Sequence, residues 1–235
     1  MDQSIPPPPG SGTSARPTVE LVQGSVGEGE DPEDWNVLAP DERARAERLR
    51  RPSARAQFVA TRAALRRILG RRIGLEPACV EFRIRPGGKP ELAGTGAESG
   101  WCFNVSHTDG LYLIALAKGF EVGIDVERGW TADPGELAAL VSRHFSPAER
   151  AWWESTVEAD SMSAFLRIWT RKEAVLKASG VGLVNDLRSV ETVLPGLGLG
   201  RWGVVDWSVP AGYAAAVSAE GLGWVVYNHD ATEAT

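Results

Sequence analysis

Apolar and polar positions alternate with two different periods along this chain of 235 residues. Between residues 41 and 74, apolar side chains recur at helical spacing, and Pro52 divides the stretch into a short helix and a longer one. Strand-like alternation or short apolar runs then follow one another, with turn residues between them. The strands predicted in this part are 80–85, 101–105 and 111–118.

The second part of the chain repeats this mixture of strands and helices. Residues 121–127 alternate as a strand and are predicted to pair antiparallel with 111–118. Ser146, Pro147 and Glu149 have the form of a capping box at a helix start. The predicted helices are 135–143 and 161–179, the latter ended by Gly180, and the predicted strands of a second sheet are 187–194, 202–209, 213–218 and 224–227.

Residues 1–29 are rich in Pro, Gly and Ser and poor in large apolar side chains. Such a segment buries too little surface to offset the entropy of ordering it. We therefore predict a disordered tail, in which residues 19–22 could add an edge strand.

Composition excludes several classes of protein. A formal net charge of −6 argues against a general nucleic-acid binder, and two cysteines, Cys79 and Cys102, provide neither a disulfide framework nor a zinc site. The N-terminus lacks the pattern of a secretory signal, and no apolar run approaches the roughly 18 residues of a membrane span. We expect a soluble, cytoplasmic protein that does not bind membranes.

Two acidic side chains in the strand 121–127 are candidates for a metal site. Asp125 and Glu127 are separated by one residue, so a strand directs both carboxylates to the same face of its sheet. Oxygen ligands at this density suit Mg²⁺. Glu173 and Lys177 are four residues apart on the helix 161–179 and share one of its faces. Each of these fragments, taken alone, is also a common solvated feature.

Four short motifs together carry a family resemblance. They read GKP at 88–90, FNVSH at 103–107, GIDVE at 123–127 and WTRKEAVLK at 169–177. In this order they resemble the GKP, FNxSH, GxDxE and WxxKEAxxK motifs of the 4′-phosphopantetheinyl transferase superfamily, in its surfactin-type, single-chain form. The resemblance covers most of the chain from about Pro40 onward.

The resemblance implies an α+β fold of two similar halves, a pseudo-dimer on one chain. Each half would pack a small antiparallel sheet on a long helix, with the active site between the halves. The boundary is predicted near Lys118, giving an N-terminal half of residues 30–118 and a C-terminal half of 119–235 that carries the metal site. The protein would be a monomer.

The resemblance also implies a reaction and a set of roles. The 4′-phosphopantetheine arm of coenzyme A would be transferred to a serine of an apo acyl or peptidyl carrier protein, releasing adenosine 3′,5′-bisphosphate. Asp125, Glu127 and Glu173 would hold Mg²⁺, or Mn²⁺, and Lys177 would complement the phosphate charge. Glu173 is also the candidate for receiving the serine proton. The residues implied in coenzyme binding are Arg45, Arg62, Lys89, Ser106, His107 and Lys177.

Two other functions stay open from the sequence. One is a catalytically silent module that binds coenzyme A or a carrier protein, although the acidic ligands and Lys177 are all present. The other is a magnesium-dependent pyrophosphate hydrolase acting on nucleotides, which would turn over without an acceptor.

Glu149 has a sufficient explanation as a helix cap, while the FSxxE pattern of the family leaves a second role open. The identity of the carrier protein is not encoded in any short motif.

Overall fold

The structure is a computed structural model that describes residues 16–27, 29–156, 160–182, 187–192 and 200–230. The α-helices are α1 (Pro32–Asn36), α2 (Pro40–Glu47), α3 (Pro52–Ile73), α4 (Pro134–His144), α5 (Pro147–Glu154) and α6 (Ser161–Ser179). The strands are β1 (Thr18–Ser25), β2 (Phe82–Ile84), β3 (Pro90–Leu92), β4 (Trp101–Thr108), β5 (Leu111–Lys118), β6 (Val122–Arg128), β7 (Trp202–Trp207), β8 (Tyr213–Glu220) and β9 (Val225–Asp230). The mixed α+β class predicted from the sequence is confirmed.

A four-stranded sheet with the order β4-β5-β1-β9 forms the first layer. β1 pairs antiparallel with β5 and parallel with β9, so it is an inner strand. Its apolar side chains alternate and are buried, Val19 and Leu21 completely. The predicted tail is therefore wrong over Thr18–Ser25, and the edge strand suggested for 19–22 lies inside the sheet; residues 1–15 lie outside the described residues.

The position of β9 is a second correction. The sequence analysis assigned this strand to a second sheet, but its whole length pairs with residues 18–23 of β1. The first sheet is thus built from both predicted halves and is not purely antiparallel.

Helix α3 covers one face of the four-stranded sheet. Leu65 and Leu69 are fully buried and pack in one apolar cluster with Ile114 and Leu116 of β5. The helix begins with Pro52, whose missing N–H costs nothing at the first helical position, and ends at Gly74 with φ 71°. The predicted break between α2 and α3 at Pro52 is confirmed.

A three-stranded antiparallel sheet with the order β6-β8-β7 carries the second long helix, α6. The predicted pairing of residues 121–127 with 111–118 is wrong, because β6 forms its ladder with β8. Helix α6 lies directly on β6: a Cβ atom at Gly123 would stand 2.1 Å from the carbonyl oxygen of Ala174. Only glycine permits this approach, which brings β6, with Asp125 and Glu127, close to the helix that carries Glu173.

The region between β6 and α6 agrees with the sequence at its helices. The capping box of Ser146 and Glu149 is present at the start of α5, and Gly180 ends α6 with φ 69°. The strand predicted at 187–194 is wrong over Leu187–Ser189, which form a 3₁₀ turn; residues 193 and 194 lie outside the described residues. No helix in the parts of the chain that the structure describes is long and apolar enough to cross a membrane.

Candidate active site

Two side chains of β4 join the first sheet to the second. β6 pairs with β8 along one edge. On its other edge, two backbone N–H groups donate hydrogen bonds to side chains of β4. Asn104 Oδ1 accepts from the Ile124 N–H at 2.9 Å, and Ser106 Oγ accepts from the Val126 N–H at 3.2 Å. These bonds satisfy donors that would otherwise be buried without a partner. They also fix Asp125, which lies between the two bonded residues, at the junction of the sheets.

Asp125 is the centre of the polar cluster at this junction. Its Oδ1 accepts from Ser106 Oγ at 3.0 Å and from Lys177 Nζ at 2.5 Å, and Lys177 also donates to Ser106 Oγ at 3.1 Å. The residue is only 2% exposed. Its second oxygen, Oδ2, is buried and meets no hydrogen-bond partner among the described residues. A buried carboxylate oxygen without a donor is costly, so this atom is a candidate metal ligand.

The charge of Asp125 affects the pKa of both Glu127 and Glu173. Burial, followed by the charge of Asp125, raises the pKa of Glu127 to about 7, with a smaller contribution from Glu173 and opposition from Lys177. Burial and Asp125 also raise the pKa of Glu173. One ammonium group therefore does not neutralise the three carboxylates, and a divalent cation would favour their ionised forms.

The donor set fits Mg²⁺ in chemistry, since it consists of carboxylate oxygens, one of them buried and unpaired. However, among the residues that the structure describes, no three side chains of the His, Cys, Asp and Glu types form a group arranged to hold a metal ion. The predicted close convergence of Asp125, Glu127 and Glu173 is therefore not found in the described geometry. The acidic residues are electrostatic neighbours, and the metal assignment stays a prediction.

Basic side chains lie next to the acidic cluster. Arg45 and His107 line a cavity of about 850 Å³, together with Phe58, Asp109 and Arg128. The Arg45 guanidinium stacks 5.0 Å from the centre of the Phe58 ring. Desolvation, and then the charges of Lys177 and Arg45, lower the pKa of His107, although its side chain remains accessible from the cavity. Three arginines and two acidic side chains line this cavity, so cationic groups that suit phosphate are present in it.

A smaller cleft of about 260 Å³ is lined by Asn104, by Glu173 and Lys177 of α6, and by the glycine-rich turn 87–90. Of the predicted site residues, Lys89, Glu173 and Lys177 therefore line this cleft, whereas Arg45 and His107 line the larger cavity.

Two of the predicted coenzyme ligands are already bound to protein groups. Arg62 donates to Glu42 and lies over the Phe82 ring at 4.6 Å, and it does not line the cavity shared by Arg45 and His107. Lys89 is 7% exposed and donates to Glu121 and to two backbone carbonyls. These partners are distant in the sequence, so spacing gave no sign of them.

An ion pair that the sequence analysis missed anchors the second half of the site. Lys172 of α6 and Glu149 of α5 are 2.6 Å apart, and both side chains are 0% exposed. Glu149 Oε1 also accepts from the Thr192 N–H and hydroxyl, while Lys172 donates to the carbonyl of Leu187. Glu149 therefore has a second, structural role besides its helix cap. A lysine among the apolar residues of α6 was the available signal.

Comparison with known proteins agrees with this geometry. The model of the 4′-phosphopantetheinyl transferase superfamily matches residues 121–202, which contain β6 and α6. The 4′-phosphopantetheinyl transferase HetI of Nostoc sp. is 36% identical over 194 residues, covering 80% of this chain and 81% of the relative. The chain belongs to the 4′-phosphopantetheinyl transferase superfamily.

Further relatives match shorter parts of the chain. A 4′-phosphopantetheinyl transferase of Bacillus subtilis is 30% identical over 49% of this chain and 48% of its own length. The 4′-phosphopantetheinyl transferase AcpT of Salmonella typhimurium is 37% identical over 40% of this chain and 47% of its own length. The family resemblance stated from the four motifs is confirmed.

Proposed function

We propose that this protein transfers the 4′-phosphopantetheine arm of coenzyme A to a serine of an apo carrier protein and releases adenosine 3′,5′-bisphosphate. The observation that carries the proposal is Asp125, which is buried beside Lys177 with one carboxylate oxygen unpaired and helps to raise the pKa of Glu127 and of Glu173. An arrangement of this kind suits a divalent cation facing a diphosphate. Mg²⁺ is the proposed cation, and Mn²⁺ has the same ligand preference.

The proposed metal ligands are Asp125, Glu127 and Glu173. The cation would act as a Lewis acid on the diphosphate and neutralise charge on its oxygens. Lys177 would add a positive charge beside the cation and complement the 5′-phosphate of the departing adenosine 3′,5′-bisphosphate. Because Asp125 and Ser106 both accept from Lys177, its ammonium group is held in one orientation.

Glu173 is the proposed acceptor of the serine proton. In the protein without metal, burial and the charge of Asp125 raise the pKa of Glu173, so its carboxylate binds a proton more tightly than an exposed glutamate does. A general base works best with a pKa near the working pH. The same carboxylate would serve as a metal ligand, so the base is either Glu173 itself or a water that it orients.

Arg45 and His107 are the proposed contacts for the coenzyme's phosphate groups in the larger cavity. An arginine side chain matches phosphate oxygens in a bidentate manner. Lys177 lies close enough to influence His107, so phosphate groups bound there would extend towards Asp125. Arg62 is not part of this proposal, because its guanidinium is bound to Glu42.

The finer architecture and the setting are also proposals. The two long helices α3 and α6, each packed on a sheet, are compatible with two related halves and with a site between them. An acyl or peptidyl carrier protein is the proposed partner, the protein would act as a monomer, and the proposed compartment is the cytoplasm.

Mass spectrometry of apo carrier proteins incubated with coenzyme A, Mg²⁺ and this protein tests the function. We expect a mass increase of one phosphopantetheine group on a serine of at least one carrier. A second incubation without carrier separates the alternatives, since only a pyrophosphate hydrolase would consume coenzyme A there. Binding of coenzyme A with no transfer to a panel of fatty-acid, polyketide and peptide carriers would favour the silent module.

Metal binding is expected to strengthen as the pH rises towards 7. Burial and Asp125 raise the pKa of Glu127 from 4.5 to about 7, so Mg²⁺ must displace a proton below that value. The apparent affinity for Mg²⁺ should rise about tenfold per pH unit below 7 and level off above it. Calorimetric titration in two buffers of different ionisation enthalpy measures the proton release directly.

The same pKa shift changes how the stability of the metal-free protein depends on pH. A carboxyl group with a raised pKa binds more protons in the folded state than in the unfolded state between pH 4.5 and about 7. Stability without metal should therefore fall as the pH rises through this window. Glu127→Gln should reduce the proton release to the share of Glu173, whose pKa is also raised, whereas Glu136→Gln, at an exposed position of α4, should leave it unchanged. Proton release as large in Glu127→Gln as in the wild type contradicts the assignment.

Removal of the Arg45 guanidinium is expected to weaken coenzyme binding. Arg45→Ala should raise the KM for coenzyme A by roughly 10- to 100-fold and change kcat less, because charge-assisted bonds to phosphate contribute about 1.5–3 kcal/mol. Arg48→Ala is the control, since Arg48 is an exposed arginine next to α2 that does not line the cavity. Equal KM values for the two variants would count against Arg45 as a phosphate ligand.

A further inference from the structure

The hairpin formed by β2 and β3 reaches across to the end of α6. Its turn touches the helix terminus through backbone atoms: a Cβ at Gly87 would lie 1.9 Å from the carbonyl oxygen of Gly180. A Cβ at Gly182 would likewise lie 2.8 Å from the carbonyl oxygen of Gly87. Contact this close requires glycine on both sides and leaves little freedom for the helix end relative to the turn.

Lys89 extends this contact into the protein. Its ammonium group donates to Glu121 Oε2 at 2.7 Å, to the Val122 carbonyl at 2.9 Å and to the Ala178 carbonyl at 3.3 Å. An ammonium group has three donors, and these three acceptors use all of them. The residue is 7% exposed, so Lys89 is a buried cross-link between three segments.

Glu121 supplies the charge that makes burial of Lys89 tolerable. Burial lowers the pKa of Lys89, and Glu121 opposes that shift. The other oxygen of Glu121, Oε1, accepts from Arg85 Nη1 at 2.6 Å. This bond is a second link between the Glu121 carboxylate and the β2–β3 hairpin. Without this carboxylate, the ammonium group would be a buried charge with only carbonyl partners.

The three acceptors of Lys89 belong to the segments that carry the active site. Ala178 follows Lys177 directly and lies near Glu173 on α6, while Val122 begins β6, three residues before Asp125. Lys89 therefore fixes the end of α6 and the start of β6 with respect to each other. A shift between these elements would separate Lys177 from Asp125, which are 2.5 Å apart.

We propose that the Lys89–Glu121 ion pair is a positioning device that holds Lys177 and Glu173 in register with Asp125, and that Lys89 does not bind the coenzyme's phosphates. This inference rests on the proposed transferase function. It replaces the role that the sequence implied for Lys89, since a donor group already bound to three protein acceptors has none left for a phosphate.

Steady-state transfer to a carrier protein with Lys89→Met, Glu121→Gln and the double variant tests the inference. Because loss of about 1 Å of alignment costs on the order of 100-fold, kcat should fall by about 10- to 100-fold in each single variant. The KM for coenzyme A should change by less than about threefold. The double variant should be no slower than the slower single variant, since both remove one device.

Glu91→Gln is the matched control. Glu91 accepts from Arg83 and from the other side of Arg85, within the same hairpin, and its hydrogen bonds do not reach α6 or β6. This variant should keep kcat within about twofold of the wild type. Glu121→Asp keeps the charge but shortens the side chain, so it should give a kcat between those of the wild type and Glu121→Gln. This milder variant still tests the inference if Glu121→Gln fails to fold.

Amide hydrogen exchange of the peptide 174–182 gives a readout that is independent of activity. Exchange at the end of α6 should be faster in Lys89→Met and Glu121→Gln than in the wild type or in Glu91→Gln. A raised KM with normal kcat in Lys89→Met, together with normal kinetics in Glu121→Gln, would overturn the inference and restore Lys89 as a phosphate ligand. Unchanged exchange in both variants would also overturn it. Wild-type protein that modifies no carrier would instead refute the proposed function, leaving the exchange measurement to decide the positioning role.

Discussion

Alanine at position 125 is expected to slow transfer to a carrier protein by at least about 1000-fold, because a divalent cation contributes several kcal/mol of transition-state stabilisation. Asp125 is the residue on which the acidic cluster depends: one oxygen accepts from Ser106 and Lys177, and the other is buried without a partner. The variant should still fold, since removing the central charge relieves repulsion with Glu127 and Glu173. Transfer rates at saturating coenzyme A and Mg²⁺, with a thermal melt of each variant, measure both effects.

Two further variants make the Asp125 result specific. Asp125→Asn keeps the size of the side chain and one acceptor but removes the charge, so it should be nearly as slow as Asp125→Ala. Asp206→Asn removes a carboxylate of the same sheet that is bound to Arg167 and Arg171, away from the cluster, and should transfer at a near-normal rate. A near wild-type rate for Asp125→Ala in the presence of Mg²⁺ would refute the metal assignment.

Local signals predicted the helices from α2 onward and most strands, but not which strands pair with each other. Helix ends follow from single residues such as Pro52, Gly74 and Gly180, which act on their own turn of backbone. β1 was predicted only as an optional edge strand over residues 19–22, because the Pro- and Gly-rich segment before it lowers the average hydrophobicity of the whole region. Its own alternation, with Val19 and Leu21 fully buried, was the better guide.

Strand pairing depends on distant parts of the chain, which local patterns do not encode. β9 lies beside β1, about 200 residues earlier in the sequence, and adjacency in the chain favoured the wrong sheet. β6 follows β5 after a short connection, and an antiparallel pair was the natural prediction. In the structure, the edge of β6 that faces β4 is bound by the side chains of Asn104 and Ser106, and β8 takes the other edge.

In the candidate site, too, the sequence indicated neighbours along one element but not contacts between distant parts of the chain. The spacing of Asp125 with Glu127, and of Glu173 with Lys177, predicted which side chains share a face. The roles of Arg62 and Lys89 depended on acceptors 20 to 89 residues away in the sequence, and those acceptors change what each cation can do. The GKP motif located Lys89 and the family resemblance located Arg62, but neither identified the side chain's partners.

Lys172→Met is expected to lower the free energy of unfolding by about 3–5 kcal/mol, because it leaves a buried carboxylate without its cation. Lys172 and Glu149 are both 0% exposed and 2.6 Å apart, and they join α6 to α5 and to the segment 187–192. Urea unfolding followed by tryptophan fluorescence measures the difference directly.

A second substitution by methionine on α6, at Arg167, shows why burial decides this effect. Arg167 also pairs with a carboxylate, Asp206, but their side chains are 50% and 37% exposed, so water screens the pair. Arg167→Met should therefore cost at most about 1 kcal/mol. Glu149→Gln added to Lys172→Met should cost less than the sum of the two single changes, since the unpaired charge is then gone. Equal losses for Lys172→Met and Arg167→Met would mean that the buried pair contributes no more than a surface one. Helix α5 would then be held to α6 by apolar contacts, such as those of Trp152 and Trp153 with the cluster that contains Phe165.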